Sequence, residues 1–101
     1  MDYQISVLRF KLLCEEQNVA ELWLNVGAKW YDIAGIYAQP NVICLKTVDK
    51  RIVLYNVKDV VLDHDTPNNE ISGVIRQYDY RHNAQLKRIR FVGIAKSSHT
   101  S

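Results

Sequence analysis

Few residues in this sequence have the types and spacing that catalysis requires. His64 lies between Asp63 and Asp65, a group that could serve a metal ion or a general base. One imidazole and two carboxylates in a polar loop are more often simply solvated. The chain also lacks a glycine-rich phosphate loop, a nucleophile elbow and a pair of metal-ligand motifs. We therefore expect no enzyme activity, no metal and no cofactor.

A second group of residues could bind a polyanion. Lys87, Arg88 and Arg90 form a basic cluster, and Tyr78 and Tyr80 precede it. Basic side chains neutralise phosphates, while tyrosine rings stack on bases. The alternative is a solvated face that keeps an exposed strand edge from aggregating. If this region is a hairpin, Arg88 and Arg90 share one face because their spacing is two.

The charge of the chain is unevenly distributed. The 101 residues carry a net charge of +2. Residues 1–70 contain seven basic and ten acidic side chains, a net −3, whereas residues 71–101 contain six basic and one acidic, a net +5. A polyanion would therefore be attracted to the C-terminal third.

Length and composition indicate a single domain over residues 1–101, with 48% hydrophobic residues to form one core. No apolar run approaches the roughly 18 residues of a membrane span. The N-terminus does not show the basic region, apolar stretch and cleavage site of a signal peptide. We expect a cytoplasmic protein without membrane contact. Cys14 and Cys44 lie in apolar runs, and we expect both to be reduced small hydrophobes rather than a disulfide.

The elements that position these residues begin with a predicted helix over residues 1–17. Apolar residues recur there at helical spacing: Ile5, Leu8, Leu12 and Leu13. Residues 3–7 alternate between apolar and polar, which would instead suit a half-buried strand. Phe10 beside Lys11 breaks this alternation and favours the helix.

Short β-prone runs separated by turn residues occupy residues 19–63. The predicted strands are 22–24, 30–38, 42–47, 51–55 and 59–62. Gly27 can take positive φ in the first turn, and Gly35 marks a bend that lets one strand serve two sides of a small barrel. We predict a strongly bent five-stranded barrel.

Two more β-prone stretches follow a polar loop that contains Pro67. They cover residues 71–80 and 85–95, joined by a turn at 81–84, and predict a C-terminal hairpin extension over 70–96. The polar tail from Lys96 to Ser101 is expected to fray. The predicted fold is therefore mostly β, with an N-terminal helix, the barrel and the hairpin extension.

This order of elements resembles the Sm-like family of small β-barrels, of the LSm and Hfq type, over about residues 5–63. The first Sm motif would correspond to residues 22–43 and the second to residues 52–61. SH3-like barrels share the pattern. The resemblance implies a homo-oligomeric ring, in which the strand near 51–55 pairs with the strand near 59–62 of the next subunit. Unpaired edges of an open barrel favour such association independently of the family.

The resemblance also implies a site for single-stranded RNA. The positions that would stack on and hydrogen-bond a base are Tyr37, Gln39, Asn41, Tyr55, Asn56 and Lys58. The cluster of Lys87, Arg88 and Arg90 would add phosphate contacts. The alternative is that Tyr37 and Tyr55 are rim or core aromatics and the two asparagines only shape turns.

We therefore hypothesise a non-enzymatic, Sm-like ring protein that binds single-stranded RNA. The alternative function is a structural or adaptor module, of viral or mobile-element origin, that uses the barrel edge and the hairpin for protein contacts. These two functions differ in salt dependence, because binding through phosphate contacts weakens steeply as salt rises.

Overall fold

The computed structural model describes residues 3–79 and 85–96, where the chain forms one helix and nine strands. The predicted turn at 81–84 and, apart from Lys96, the predicted polar tail lie outside these residues. In chain order the elements are β1 (Tyr3–Ile5), α1 (Val7–Glu16), β2 (Val19–Val26), β3 (Lys29–Ile33), β4 (Gly35–Gln39), β5 (Val42–Lys46), β6 (Arg51–Leu54), β7 (Val57–Leu62), β8 (Glu70–Asp79) and β9 (Gln85–Ala95).

The strands form two antiparallel sheets. The larger sheet has the order β1-β7-β8-β9-β2-β3, and the small sheet has the order β4-β5-β6. The mostly β fold with a short N-terminal helix is confirmed. The prediction of one strongly bent five-stranded barrel over 19–63 is wrong, because the strands of that segment are divided between two open sheets.

The C-terminal hairpin is not an appendage. Its two strands are confirmed, but they occupy the middle of the larger sheet, where β8 pairs with β7 and β9 pairs with β2. Ile75 on β8 and Ile89 and Phe91 on β9 are almost completely buried. The predicted extension over 70–96 is therefore corrected, since these strands join the two ends of the sheet and contribute large side chains to its core.

Helix α1 packs its buried side chains against this core. The Ser6 side chain accepts a hydrogen bond from the backbone N–H of Arg9 at 3.1 Å, which caps the start of the helix. Phe10 meets Phe91 edge-to-face, with ring centroids 4.8 Å apart. Leu8 and Leu12, which the predicted apolar stripe placed inward, are exposed. Residues 3–5 form a strand rather than the first turn of the helix.

The predicted bend near Gly35 is a complete change of sheet. The chain leaves the larger sheet after β3, passes through Ala34 and enters the small sheet with β4. The Ala34 N–H donates to the carbonyl oxygen of Lys46 at 2.6 Å, which ties this crossing to β5. The turn between β2 and β3 has Gly27 at φ 66°, as predicted.

The predicted ring depended on the strands near 51–55 and 59–62, which are β6 and β7. Only β6 has a fully unpaired edge within the described residues. β6 is the last strand of the small sheet, so one of its edges is unpaired. β7 lies between β1 and β8, and Val60 and Leu62 pair with Ile5 and Tyr3. Self-association through both strands stays a prediction, but β7 has no free edge from Val60 to Leu62.

Both cysteines are free thiols. Cys14 is buried in α1, and burial together with the nearby Glu15 carboxylate raises the pKa of Cys14 to about 12. Cys44 is only partly buried on β5. Among the described residues, the structure contains no helix of the length and hydropathy needed to cross a membrane.

Candidate functional site

The small sheet has one face on the core and one towards solvent. Ile43 and Leu45 on β5 are fully buried. Because side chains alternate along a strand, Cys44 between them points outward. The strand register places Tyr37 of β4 and Val53 of β6 directly opposite Cys44. These three side chains therefore form one row across the solvent side of the sheet.

We call the solvent side of this sheet the tyrosine face. By strand alternation it comprises Tyr37, Gln39, Val42, Cys44, Lys46, Arg51 and Val53. Tyr55 directly follows the buried Leu54 at the end of β6, and we assign it to the same face because it continues the alternation. Tyr37 and Tyr55 are each 61% exposed. Such exposure leaves both rings free to stack on a planar ligand, so neither tyrosine belongs to the core.

The tyrosine face is positively charged. Lys46 and Arg51 are exposed and lie directly opposite each other on β5 and β6. Strands β4, β5 and β6 contain no acidic residue. Asp49, in the turn between β5 and β6, accepts a hydrogen bond from the Thr47 hydroxyl at 3.0 Å. The charge of this face therefore suits an anion, and its rings suit a base.

The end of the β8–β9 pair adjoins this face at Tyr55. The Gln77 side-chain amide donates to the Tyr55 carbonyl oxygen at 3.0 Å, and the Tyr78 N–H donates to the Asn56 carbonyl oxygen at 2.9 Å. Lys87 lies opposite Gln77 in the strand register, is exposed and projects from the same side of the sheet. A further lysine is thus brought towards Tyr55.

Arg88 and Arg90 lie on the opposite side of β9 from Lys87 and share one face, as their spacing predicts. Arg90 forms a two-point ion pair with Asp63, with 3.2 Å between Nη1 and Oδ1. The Ser72 hydroxyl also donates to Asp63, at 2.8 Å. The Arg90 guanidinium, with help from Ser72, lowers the pKa of the Asp63 carboxyl against the opposing effect of burial. Arg90 is therefore already neutralised.

Beside this pair, Arg76 and Asp59 form a second ion pair across β7 and β8. The Arg76 Nε lies 2.6 Å from Asp59 Oδ1, Nη2 contacts the other carboxylate oxygen, and both side chains are largely buried. Hydrogen bonding to Asp59 raises the pKa of Arg76. Arg88 lies opposite Arg76 in the register and is exposed. This face of the larger sheet is therefore mostly charge-balanced, unlike the tyrosine face.

The remaining predicted base-contacting residues, Asn41, Asn56 and Lys58, lie in turns or at an irregular strand pairing. Asn41 and Asn56 adopt left-handed backbone conformations, with φ of 63° and 54°. The Asn41 side-chain amide donates to the Val57 carbonyl oxygen at 2.9 Å, which fixes the turn before β5 against β7. Lys58 is exposed where the β7–β8 pairing is irregular. Both asparagines thus have a structural explanation.

The structure brings together three of the predicted residues, Tyr37, Gln39 and Tyr55, and places Lys87 beside Gln77, which contacts Tyr55. It puts Arg88 and Arg90 on a different face. Sequence reasoning missed Lys46 and Arg51. A signal for these two existed, because a tight turn over 47–50 pairs residue 46 with residue 51, and alternation from the buried Leu45 turns both outward.

Two other features of the described residues bear on possible chemistry: the loop that contains His64 and a cavity beside α1. Asp63, beside His64, is engaged by Arg90 and Ser72. No cluster of three or more metal-ligating side chains exists among the residues of known placement. A cavity of about 560 Å³ lies between α1 and the starts of β2 and β4, and the thiol on its wall, Cys14, has a raised pKa that disfavours the reactive thiolate.

Comparison with protein-family models, with curated proteins and with solved structures gives no match to this chain. The Sm-like resemblance therefore stays a prediction, and the interpretation of the site depends on its geometry.

Proposed function

We propose that this protein is a non-enzymatic, cytoplasmic protein that binds single-stranded RNA on the tyrosine face. The observation that carries the proposal is the position of two exposed rings, Tyr37 and Tyr55, on a face that also has Lys46 and Arg51. The strands beneath this face have no carboxylate that would repel phosphate.

Each part of the face has a separate role in this mechanism. The tyrosine rings stack on unpaired bases, which have an apolar face whatever their sequence. Lys46, Arg51 and Lys87 neutralise phosphates between the stacked bases. The amide of Gln39, on the same side of β4 as Tyr37, can hydrogen-bond a base edge. A duplex hides its base faces, so the site selects single strands.

The larger sheet is a less suitable surface for RNA. Phosphate would have to compete there with Asp63 for Arg90 and with Asp59 for Arg76. On the tyrosine face, Lys46 and Arg51 have no ion pair among the described residues, so neutralising a phosphate breaks no contact within the protein. This difference favours the tyrosine face as the binding surface.

Fluorescence anisotropy with a labelled uridine-rich oligonucleotide, measured over a series of salt concentrations, tests the proposal. Contacts to about three phosphates predict a log–log salt slope of about −2, since each contact to a single strand contributes about 0.7. Arg51→Ala should weaken binding and reduce the slope by about 0.7. Arg9→Ala is the matched control, because Arg9 is an exposed arginine on α1, and it should leave both unchanged.

Two results would contradict the proposal. One is an affinity for the oligonucleotide that does not change with salt. The other is an equal loss of binding in Arg51→Ala and Arg9→Ala, which would indicate non-specific charge attraction. Either result would favour the structural or adaptor function instead.

A further inference from the structure

The two sheets have four outer edges, and β6 differs from the other three edge strands. β1 has only three residues, β3 carries Lys29 and Asp32, and β4 lies against α1. Short strands, charges and covering helices all protect edges from pairing with other chains. β6 has one charge at its start, then Ile52, Val53 and Leu54, with no proline. Its edge is thus the least protected one among the described residues.

The backbone of β6 offers hydrogen-bonding groups along this edge. The Thr47 N–H donates to the Lys50 carbonyl oxygen at 2.8 Å, so these two residues form a hydrogen-bonded pair. Such pairs alternate along an antiparallel ladder. Arg51 and Val53 therefore direct their N–H and C=O groups away from β5. Within the described residues these groups have no hydrogen-bond partner.

We propose that β6 pairs antiparallel with β6 of a second copy of this chain, about a two-fold axis at Val53. In this register Val53 lies opposite Val53 of the second copy. Arg51 lies opposite its Tyr55, whose carbonyl oxygen accepts from the Gln77 amide and keeps a second lone pair for the Arg51 N–H. Residues directly opposite each other in a sheet must share a face, and these pairs satisfy that condition. Ile52 and Leu54 likewise meet on the inner side.

Side-chain chemistry selects this register over its neighbour. With Val53 on the axis, each Arg51 guanidinium meets an exposed tyrosine ring, a favourable cation–π contact. The two valines bury apolar surface, since Val53 is 39% exposed in the single chain. With Ile52 on the axis, Arg51 would instead face Val53 and gain no aromatic partner. A two-fold axis also uses the β6 edge of both copies, so that no third chain can add to this edge.

This pairing extends the proposed function. Only its consequence for RNA binding rests on that function. The two small sheets would become one six-stranded sheet with a continuous tyrosine face. Tyr37 of one copy would lie five strand spacings from Tyr37 of the other, about 24 Å. One single strand of RNA could then cross both faces. The pairing itself is measured without RNA, so it can fail while the RNA proposal stands.

Light scattering after size exclusion, without RNA, tests the pairing first. The expected mass is twice the 11.7 kDa of the chain. Val53→Lys should halve the mass, because it places two like charges opposite each other on the axis. Val48→Lys is the matched control, since Val48 is 91% exposed in the turn before β6, and it should keep the mass of two chains. Circular dichroism checks that both variants stay folded.

A designed disulfide tests the register. Cys44 lies opposite Val53 within one chain, so it must first be replaced to prevent an internal crosslink. Cys44→Ser/Val53→Cys should form a disulfide between two chains under mild oxidation. Cys44→Ser/Asp32→Cys, which places the thiol on the β3 edge, should not.

Three results would overturn the pairing. The first is a mass of one chain over about a hundredfold range of protein concentration. The second is a mass of more than two chains, which would indicate a ring assembled through a contact other than β6 with β6. The third is equal crosslinking of the two cysteine variants.

Discussion

Tyr37 and Val53 lie on either side of Cys44, in a single row that crosses the small sheet from one edge to the other. One end of the row is an exposed aromatic ring, and the other is the middle of an unpaired strand. The proposed RNA surface and the proposed pairing edge therefore belong to one three-stranded unit. The larger sheet and α1 supply its support.

The position of Cys44 in this row makes it a reporter of RNA binding. A thiol reagent should modify one cysteine per folded chain, because Cys14 is buried and its pKa is raised to about 12. Bound oligonucleotide should slow the reaction of Cys44. Mass spectrometry after timed alkylation measures both effects, and Cys44→Ser should abolish the fast reaction. Equal reaction of both cysteines in the folded protein would count against the described packing.

The core side of α1 can be tested by truncating one buried and one exposed side chain. Phe10→Ala should lower the free energy of unfolding by about 3–5 kcal/mol, because it removes a fully buried ring that packs on Phe91. Leu12→Ala should change it by less than about 0.5 kcal/mol, since Leu12 is largely exposed. Urea unfolding followed by tryptophan fluorescence gives both values. The reverse order would mean that the stripe predicted from sequence faces the core.

The helix shows why sequence could predict an element without predicting its face. Two sets of apolar residues fit helical spacing, one with Leu8 and Leu12 and the other with Val7, Phe10 and Cys14. Periodicity cannot choose between them. The choice depends on which neighbours the helix meets, above all Phe91, and these come from distant parts of the chain.

The place of β8 in the sheet can be tested at Gly73. A β-carbon at this position would overlap the carbonyl oxygen of Val61 on β7. Gly73→Ala should therefore cost about 3 kcal/mol or more of stability, or prevent folding. Gly35→Ala is the control, because the nearest atom to a β-carbon there, Tyr37 Cε2, is 3.8 Å away. Equal melting temperatures of the two variants would contradict the pairing of β8 with β7.

The sheet order was also beyond sequence reasoning. Turn residues and alternation sufficed for the strands themselves, including the hairpin of β5 and β6 and the turn at Gly27. The alternation of apolar and polar residues along β8 and β9 is compatible with a hairpin appended to a barrel and equally with a hairpin in the middle of a sheet. The pairing of β8 with β7 and of β9 with β2, together with the burial of Ile75 and Ile89, distinguishes these arrangements. The tyrosine face was partly predictable, because Tyr37 and Tyr55 were identified, whereas Lys46 and Arg51 needed the register.

The Asp63–Arg90 pair predicts a specific pH dependence of stability. Because Arg90 lowers the pKa of Asp63, the pair stabilises the fold at pH values above the ordinary aspartate pKa. This stabilisation is lost as pH falls through the lowered value. Asp63→Asn should therefore cost about 1 kcal/mol at neutral pH, a small value because the pair is partly exposed. The difference in unfolding free energy between the variant and the original protein should begin to shrink below about pH 4 and vanish once the pH is below the lowered pKa of Asp63. Asp65→Asn, in the adjoining loop, serves as the control, and a difference that grows in acid would contradict the account.

The measurement that tests the central claim most directly is the affinity of three tyrosine variants for a single-stranded uridine-rich oligonucleotide. Tyr37→Ala and Tyr55→Ala should each weaken binding about tenfold or more, since each removes one stacking ring. Tyr3→Ala should bind like the original protein, because Tyr3 is 66% exposed but lies on β1, in the other sheet. Equal affinity of all three variants would contradict RNA binding on the tyrosine face.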